Sequence, residues 1–277
     1  MESVELAVNE IAELQQTARE LRRESLQIIH RAGSGHPGGS LSAADIVTAL
    51  YFGVMKYDPQ QPESPARDRF ILSKGHCTGL LYVTLAHAGF FDKSQLQEYR
   101  KINSQLKLSG HPHPATPGVE IATGSLGQGL SVGNGMALAA RLDDLDYRVF
   151  VLLGDGELQE GQVWEAAMSA AKYKLSRLTA IVDYNKLAQD SSTRELKDLE
   201  PLEDKWRAFG WDVLHIDGHD MEQILRALRA SAHTEKPRVI IADTVKGKGV
   251  SFMENNRAWH GVAPNDEELR QALKELQ

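Results

Sequence analysis

The residues best placed to do chemistry are Gly154, Asp155, Gly156 and Asn185. Asp155 follows the apolar run YRVFVLL, and Asn185 ends the apolar run LTAIVDY. A carboxylate and an amide oxygen at the ends of two neighbouring buried strands can share one hard cation. The main-chain carbonyl of Leu187, two residues on, can add a third oxygen. Mg²⁺ takes about six oxygens and fills what the protein leaves open with phosphate oxygens and water. The glycines beside Asp155 are expected to adopt positive φ and to let main-chain N–H groups approach an anion. The group therefore reads as a metal site that receives a diphosphate.

The chain has ten histidines, and five of them, His36, His76, His111, His113 and His260, sit in loops flanked by Gly or Pro. Gathered beside strand ends, such residues would line a polar cleft for phosphate or sugar hydroxyls, since imidazole donates or accepts at either nitrogen. A zinc site from His111 and His113 is disfavoured, because the intervening prolines stiffen the backbone and no cysteine cluster supports it. Cys77, the single cysteine, reads as a packing residue and forms no internal disulfide, which makes a reducing, cytoplasmic setting the default. The spacing GxGxxxGxG over 127–135 is not a dinucleotide fingerprint and is better explained by close helix packing. No GxxxxGK[ST] occurs, so an ordinary nucleotide triphosphatase is unsupported.

These residues need a frame. Residues 5–31 read as one amphipathic helix, and a second helix is expected from about Ser42, its N-cap, to Val54, with Asp45 in the first turn. Five apolar segments, 69–73, 147–156, 178–185, 211–217 and 238–244, alternate with helical ones. Strands apolar on both faces imply a mostly parallel α/β sheet with helices on both faces. Ligands in such sheets bind beyond the carboxyl ends of the strands. Lys74, Gly75 and His76, the Gly154–Gly156 turn, Tyr184 and Asn185, and Lys246 and Gly247 all fall there. Residues 100–123 are too rich in Pro and Gly to be regular, TGSLGQGLSVGNG leads into the helix MALAARL, and MEQILRALRASA is a further helix. The last helix, 265–277, is charged and expected to be exposed.

The chain has 277 residues, enough for a substantial core, and we expect a single domain over 1–277. A net charge of −7 argues against a nucleic-acid partner, which needs a basic face. No apolar run reaches the ~18 residues of a membrane span, and the acidic start resembles neither a signal nor a transit peptide.

In order along the chain stand SGHPGG (34–39), LSKGH (72–76), GHP (110–112), TGSLGQG (123–129), GDGELQEG (154–161), DYNKL (183–187), KGKG (246–249) and WHG (259–261). Together these resemble the N-terminal, diphosphate-binding section of transketolases. The resemblance implies thiamine diphosphate as cofactor, with Mg²⁺ or Ca²⁺ on Asp155, Asn185 and Leu187. It implies that His36 and His260 contact the donor sugar and that His111 assists proton transfer. It places His76, Gly156, Asn185 and Lys246 at the cofactor's diphosphate, and Gly124, Ser125 and Leu126 along its body. Lys248 is either a second cation there or a solvated loop residue. His30, His87, His113, His215, His219 and His233 match no functional position. Glu160 and Glu165 are either solvated or at a subunit interface.

The family's pyrimidine-binding and C-terminal domains have no counterpart here, and with them the glutamate that activates the cofactor's aminopyrimidine is missing. The resemblance therefore implies a partner subunit carrying those domains, in an α2β2 assembly acting on phosphorylated sugars. Met1 and the helical end at Gln277 favour a natural subunit over a fragment. Two alternatives stand: another thiamine-diphosphate enzyme, such as a ketol transferase for an unusual sugar or a pyruvate–aldehyde synthase, and a non-catalytic cofactor-binding module.

Overall fold

All five apolar segments are strands of one sheet in the computed structural model, which describes residues 8–230 and 235–277. They are β1 (Arg69–Leu72), β2 (Val149–Gly154), β3 (Leu178–Tyr184), β4 (Asp212–Asp217) and β5 (Arg238–Asp243). Every pairing is parallel, and the order is β1-β2-β3-β5-β4. The strands' two faces separate cleanly. Phe70, Leu72, Phe150, Leu152, Ile181 and Ile240 pack into one core, and Ile71, Val151, Leu153, Ala180, Val182 and Ile241 into the other. This is the period-two alternation of a pleated strand with both faces covered. β4 departs from the expectation of two apolar faces. It is an edge strand and only partly buried, and His215 on it bridges Glu203 and Asp243 at 2.6 and 2.7 Å.

The first core is roofed by α1 (Val8–Ala32), α3 (Ala44–Ala49), α4 (Thr78–His87) and α9 (Met221–Arg229), with α2 (Pro37–Ser42) beside them. The second is roofed by α5 (Gln128–Leu142), α6 (Gly161–Lys172) and α8 (Leu202–Ala208), with α7 (Thr193–Lys197) nearby. Residues 5–7 of the expected first helix, Ser231 and Ala232 of the expected ninth, and His233 lie outside the described residues.

Three expectations about helices are corrected. Helix structure begins at Pro37 and is interrupted at Ala43, so Ser42 caps nothing. Ser42 is buried, and its hydroxyl donates to Asp183 at 2.6 Å. Asp45 is in the first turn of α3 as expected, but it pairs with Arg22 at 2.5 Å and does not simply face the helix dipole. The segment then ends in a π turn, Leu50–Val54. α5 begins at Gln128, so most of the Gly-rich stretch is itself helix. A Cβ on Gly133 would lie 2.7 Å from Val151 Cγ2, which is the close helix–sheet packing expected for this stretch. The last helix, α10 (Asp266–Glu275), starts with an Asn265–Glu268 capping box. It is not wholly exposed: Ala272 and Leu276 pack with Leu26, Leu41, Val250, Met253 and Trp259.

Candidate active site

The carboxyl ends of β1, β2, β3 and β5 surround a cavity of about 320 Å³. Its floor is a buried charge pair that the sequence reading overlooked. Lys74, just past β1, donates to the carboxylate of Asp183 on β3, and both are essentially inaccessible. Asp183 also accepts from Ser42 at 2.6 Å and from Thr244. Lys74 also donates to the Gly39 carbonyl at 3.1 Å, which fastens α2 to the sheet. Burial pulls the lysine down, but Asp183 more than offsets this and keeps it cationic. Burial likewise pushes Asp183 up, and Lys74 outweighs it.

Asp155 leaves the end of β2 next to this pair. One carboxylate oxygen accepts from Gly156 N at 2.7 Å, and the other from Lys186 N. Burial, and then the neighbouring Asp183, push its carboxyl up to about 7. It is a buried acid whose neighbouring Lys74 is already committed to Asp183, and a bound dication would balance it. Asn185 turns its amide oxygen to Leu187 N at 3.1 Å. The Leu187 and Ala188 carbonyls accept from Lys246 Nζ at 2.8 and 3.1 Å. Asp155, Asn185 and Leu187 therefore line one cavity with oxygens of three kinds, and this donor set fits a hard divalent ion that also holds phosphate. Gly154 and Gly156 do not have the expected positive φ; Gly124, Gly127 and Gly247 do. At Gly124, a Cβ would come within 2.5 Å of the His111 ring.

Three histidines form the opposite wall. The His36, His76 and His260 rings lie 5.1 to 5.5 Å apart. Burial first, and cationic neighbours after it, lower His36 to about 4, His260 to about 3 and His76 well below its ordinary value. The trio is neutral at physiological pH, so it offers hydrogen bonds to a ligand without adding charge to the cavity. His36 Nδ1 is buried and has no partner among the described residues, so it is free for a ligand atom. Lys246 donates to His260 Nδ1 at 2.9 Å, and burial and Lys74 lower its ammonium to about 8.

Of the site residues expected from the sequence, His36, His76, Gly124, Leu126, Asp155, Gly156, Asn185, Leu187, Lys246 and His260 line the cavity. Ser125 and His111 do not. Both are exposed, with His111 packed behind Gly124 at the rim. Lys248 also lies outside the cavity wall. His113 accepts from Ala115 N within its own turn, and among the described residues no three His, Cys, Asp or Glu converge as a metal cluster. Cys77 is fully buried, and burial raises its thiol, as a packing residue should be. Glu160 and Glu165 are exposed.

Glu157 was also missed. It is buried and accepts from Gly127 N at 2.9 Å, from Gly154 N at 3.0 Å and from Ser73. It thereby clamps the TGSLGQG loop to the GDG turn. Its position in GDGELQEG was visible, but an acid in a helical first turn ordinarily reads as a solvated residue.

With this geometry in view, comparison with known proteins is direct. Residues 13–277 match the family described as "Transketolase, thiamine diphosphate binding domain". The chain is 46% identical to one subunit of the apulose-4-phosphate transketolase of Phocaeicola vulgatus, over 92% of this chain and 90% of that one. It is 44% identical to the 6-deoxy-6-sulfo-D-fructose transketolase subunit SqwG of a Clostridium species, over 96% of both. Human transketolase is 42% identical, over 95% of this chain but 42% of its own length. The crystal structure of transketolase from Campylobacter jejuni superposes with a TM-score of 0.91 at 35% identity, over 98% of this chain and 43% of that chain. The chain thus spans nearly all of the two bacterial subunits and less than half of the human and Campylobacter jejuni chains.

Proposed function

The chain belongs to the transketolase family, as its thiamine-diphosphate-binding section, and from that premise we propose that it is one subunit of a two-chain transketolase. The reaction is transfer of a two-carbon ketol unit from a ketose phosphate, such as xylulose 5-phosphate, to an aldose phosphate. Bound thiamine diphosphate supplies the nucleophilic carbon that carries this unit. The observation that carries the reading is the buried Asp155 beside Asn185 and the Leu187 carbonyl, opposite three neutral histidines.

Each group then has a task. Asp155, Asn185 and Leu187 hold the divalent metal, Mg²⁺ or Ca²⁺. The Gly156 N–H, His76 and Lys246 receive the diphosphate, and main-chain groups of Gly124, Ser125 and Leu126 run along the cofactor. His36 and His260 hydrogen-bond the donor sugar, and neutral rings suit uncharged hydroxyls. His111, at the rim, moves a proton at the substrate hydroxyls. The companion chain contributes the pyrimidine-binding and C-terminal domains, together with the carboxylic acid that the cofactor requires. Closing the cavity between the chains of an α2β2 assembly excludes water from the reacting carbon. The assembly is cytoplasmic.

Mixing this chain with its companion, thiamine diphosphate and Mg²⁺ should give turnover of xylulose 5-phosphate with ribose 5-phosphate, measured by coupled assay. No turnover by two folded chains with any ketose in a panel would remove the proposal. A second reading has support of its own. The two bacterial subunits that match nearly end to end are named for apulose 4-phosphate and 6-deoxy-6-sulfofructose. An unusual ketose as donor would appear in the same panel as a kcat/KM well above that for xylulose 5-phosphate.

A further inference from the structure

The lysine that reaches the Leu187 carbonyl sits on a short segment after β5 that is pinned at several places, among them Thr244 N to the Tyr184 carbonyl at 3.2 Å and Asn255 N to the Lys246 carbonyl at 2.9 Å. Thr244 bonds Asp183, Gly247 N donates to the Gly38 carbonyl at 3.0 Å, and Val245 N donates to His219 Nε2 at 2.8 Å. The last bond reaches into a buried chain of polar groups. With Nε2 accepting from a main-chain N–H, the proton of a neutral ring must be on Nδ1. Nδ1 then donates to Asp45 Oδ2 at 2.8 Å. Asp45 is gripped by Arg22 through bonds of 3.0 and 2.5 Å, and Arg22 Nε donates to the Leu41 carbonyl at 3.1 Å. The His219 side chain is 12% exposed, that of Asp45 9% and that of Arg22 6%, so water competes little with these bonds. Arg22 is on α1, Asp45 on α3 and His219 between β4 and α9, so three packed elements converge on one N–H beside Lys246.

We infer that His219 is a positioning residue of the diphosphate site: held by Asp45 and Arg22, it fixes the Val245 main chain and thereby the place of Lys246. His219 matched no functional position in the sequence. The inference rests on the reading of Lys246 as a cation for the cofactor's diphosphate. Without the acceptor at Nε2, the Val245 N–H is left part-buried without a partner, and the peptide between Thr244 and Lys246 loses the bond that sets its orientation, although Asn255 N still holds the Lys246 carbonyl at 2.9 Å. The lysine then starts from a shifted main chain and reaches the cavity less favourably when a ligand draws its ammonium away from the Leu187 and Ala188 carbonyls.

The test is calorimetric titration of the full chain with magnesium pyrophosphate, and separately with thiamine diphosphate plus Mg²⁺. His219→Asn keeps a nitrogen for Asp45 but has nothing at the Nε2 position, whereas His219→Gln can present an oxygen to Val245. We expect the Asn variant to bind about tenfold more weakly or worse, and the Gln variant to stay within about threefold of wild type. In a Lys246→Ala background, His219→Asn should cost less than about twofold more, because the two residues act through one bond path. An equal loss in both backgrounds, or an Asn variant that binds like wild type, overturns the inference. Should the Asn variant not fold, the Gln variant decides: near-native affinity with a lowered Tm supports the inference, and a tenfold loss overturns it. Unchanged binding by Lys246→Ala alone would instead remove the assignment of Lys246 itself, a distinguishable failure.

Discussion

Asp155 carries opposite consequences for stability and for binding. Its carboxyl is raised to about 7 by burial and Asp183, whereas an unfolded chain would titrate it near the ordinary ~4. Between those values the folded form binds more protons. The cost of burying the acid is therefore absent at low pH and grows as pH rises toward 7, by about 1.4 kcal/mol for each pH unit between the two values. Asp155→Asn should stabilise the free chain at pH 8 and leave it nearly unchanged at pH 4, by thermal melts. The same variant should abolish Mg²⁺-dependent binding of thiamine diphosphate, by calorimetry. Tight metal-dependent binding in the variant would contradict the metal assignment. Asp155, Asn185, His36, His76 and His260 were legible as cavity residues because each follows an apolar strand or sits in a Gly- or Pro-flanked loop, whereas His111 and His113 share that setting and do not line the cavity. Lys74–Asp183 and Glu157 were not, since their meaning lies in partners distant in sequence: Asp183 is far from both Lys74 and Ser42. A charged residue inside an apolar strand such as LTAIVDY is the one local signal that could have flagged Asp183.

Among the elements, strands were read most accurately, because continuous apolar runs between helical segments leave few alternatives. Helix starts were read less well. The break at Ala43 is set by tertiary contacts: Ser42 is drawn to Asp183, and Gly39 lies against Cys77 and Lys74. No local propensity reports such contacts. The Gly-rich stretch was expected to lead into a helix at Met136, whereas α5 already begins at Gln128. Its glycines serve the close packing that their spacing suggested, and the neighbouring strand shows which surface they meet. A direct consequence concerns Gly133, where a Cβ would press on Val151 Cγ2 at 2.7 Å and Leu178 Cδ1 at 3.2 Å. Gly133→Ala should lower stability by about 1–2 kcal/mol, with overpacking exceeding the gain in helix propensity. Denaturant titration checks this, and an unchanged or raised midpoint would mean that α5 can lift from the sheet at little cost.

For the molecule as a whole, ligand linkage and assembly give two tests. In the proposed site metal and cofactor bind together, so thiamine diphosphate with Mg²⁺ should raise Tm by far more than either alone; at 100 times Kd the gain is about 2.7 kcal/mol. Equal shifts with thiamine diphosphate alone would argue against a bridging metal. The proposed companion needs a surface, and α5 and α6 offer one. Leu142, Met168 and Tyr173 are 85%, 53% and 50% exposed, and Arg141 beside Leu142 donates to the Tyr173 carbonyl at 2.7 Å. Met168→Glu combined with Tyr173→Glu should prevent co-elution with the companion in size-exclusion chromatography while leaving magnesium pyrophosphate binding intact. Co-elution of the double variant would move the interface elsewhere. The strand order has a further outcome during synthesis. Of these five strands β5 is the last to leave the ribosome, yet it lies between β3 and β4. Until it is inserted, β3 has one bare edge and β4 has no strand partner, so a nascent chain stalled before residue 238 offers unpaired strand edges to chaperones or to other half-made copies.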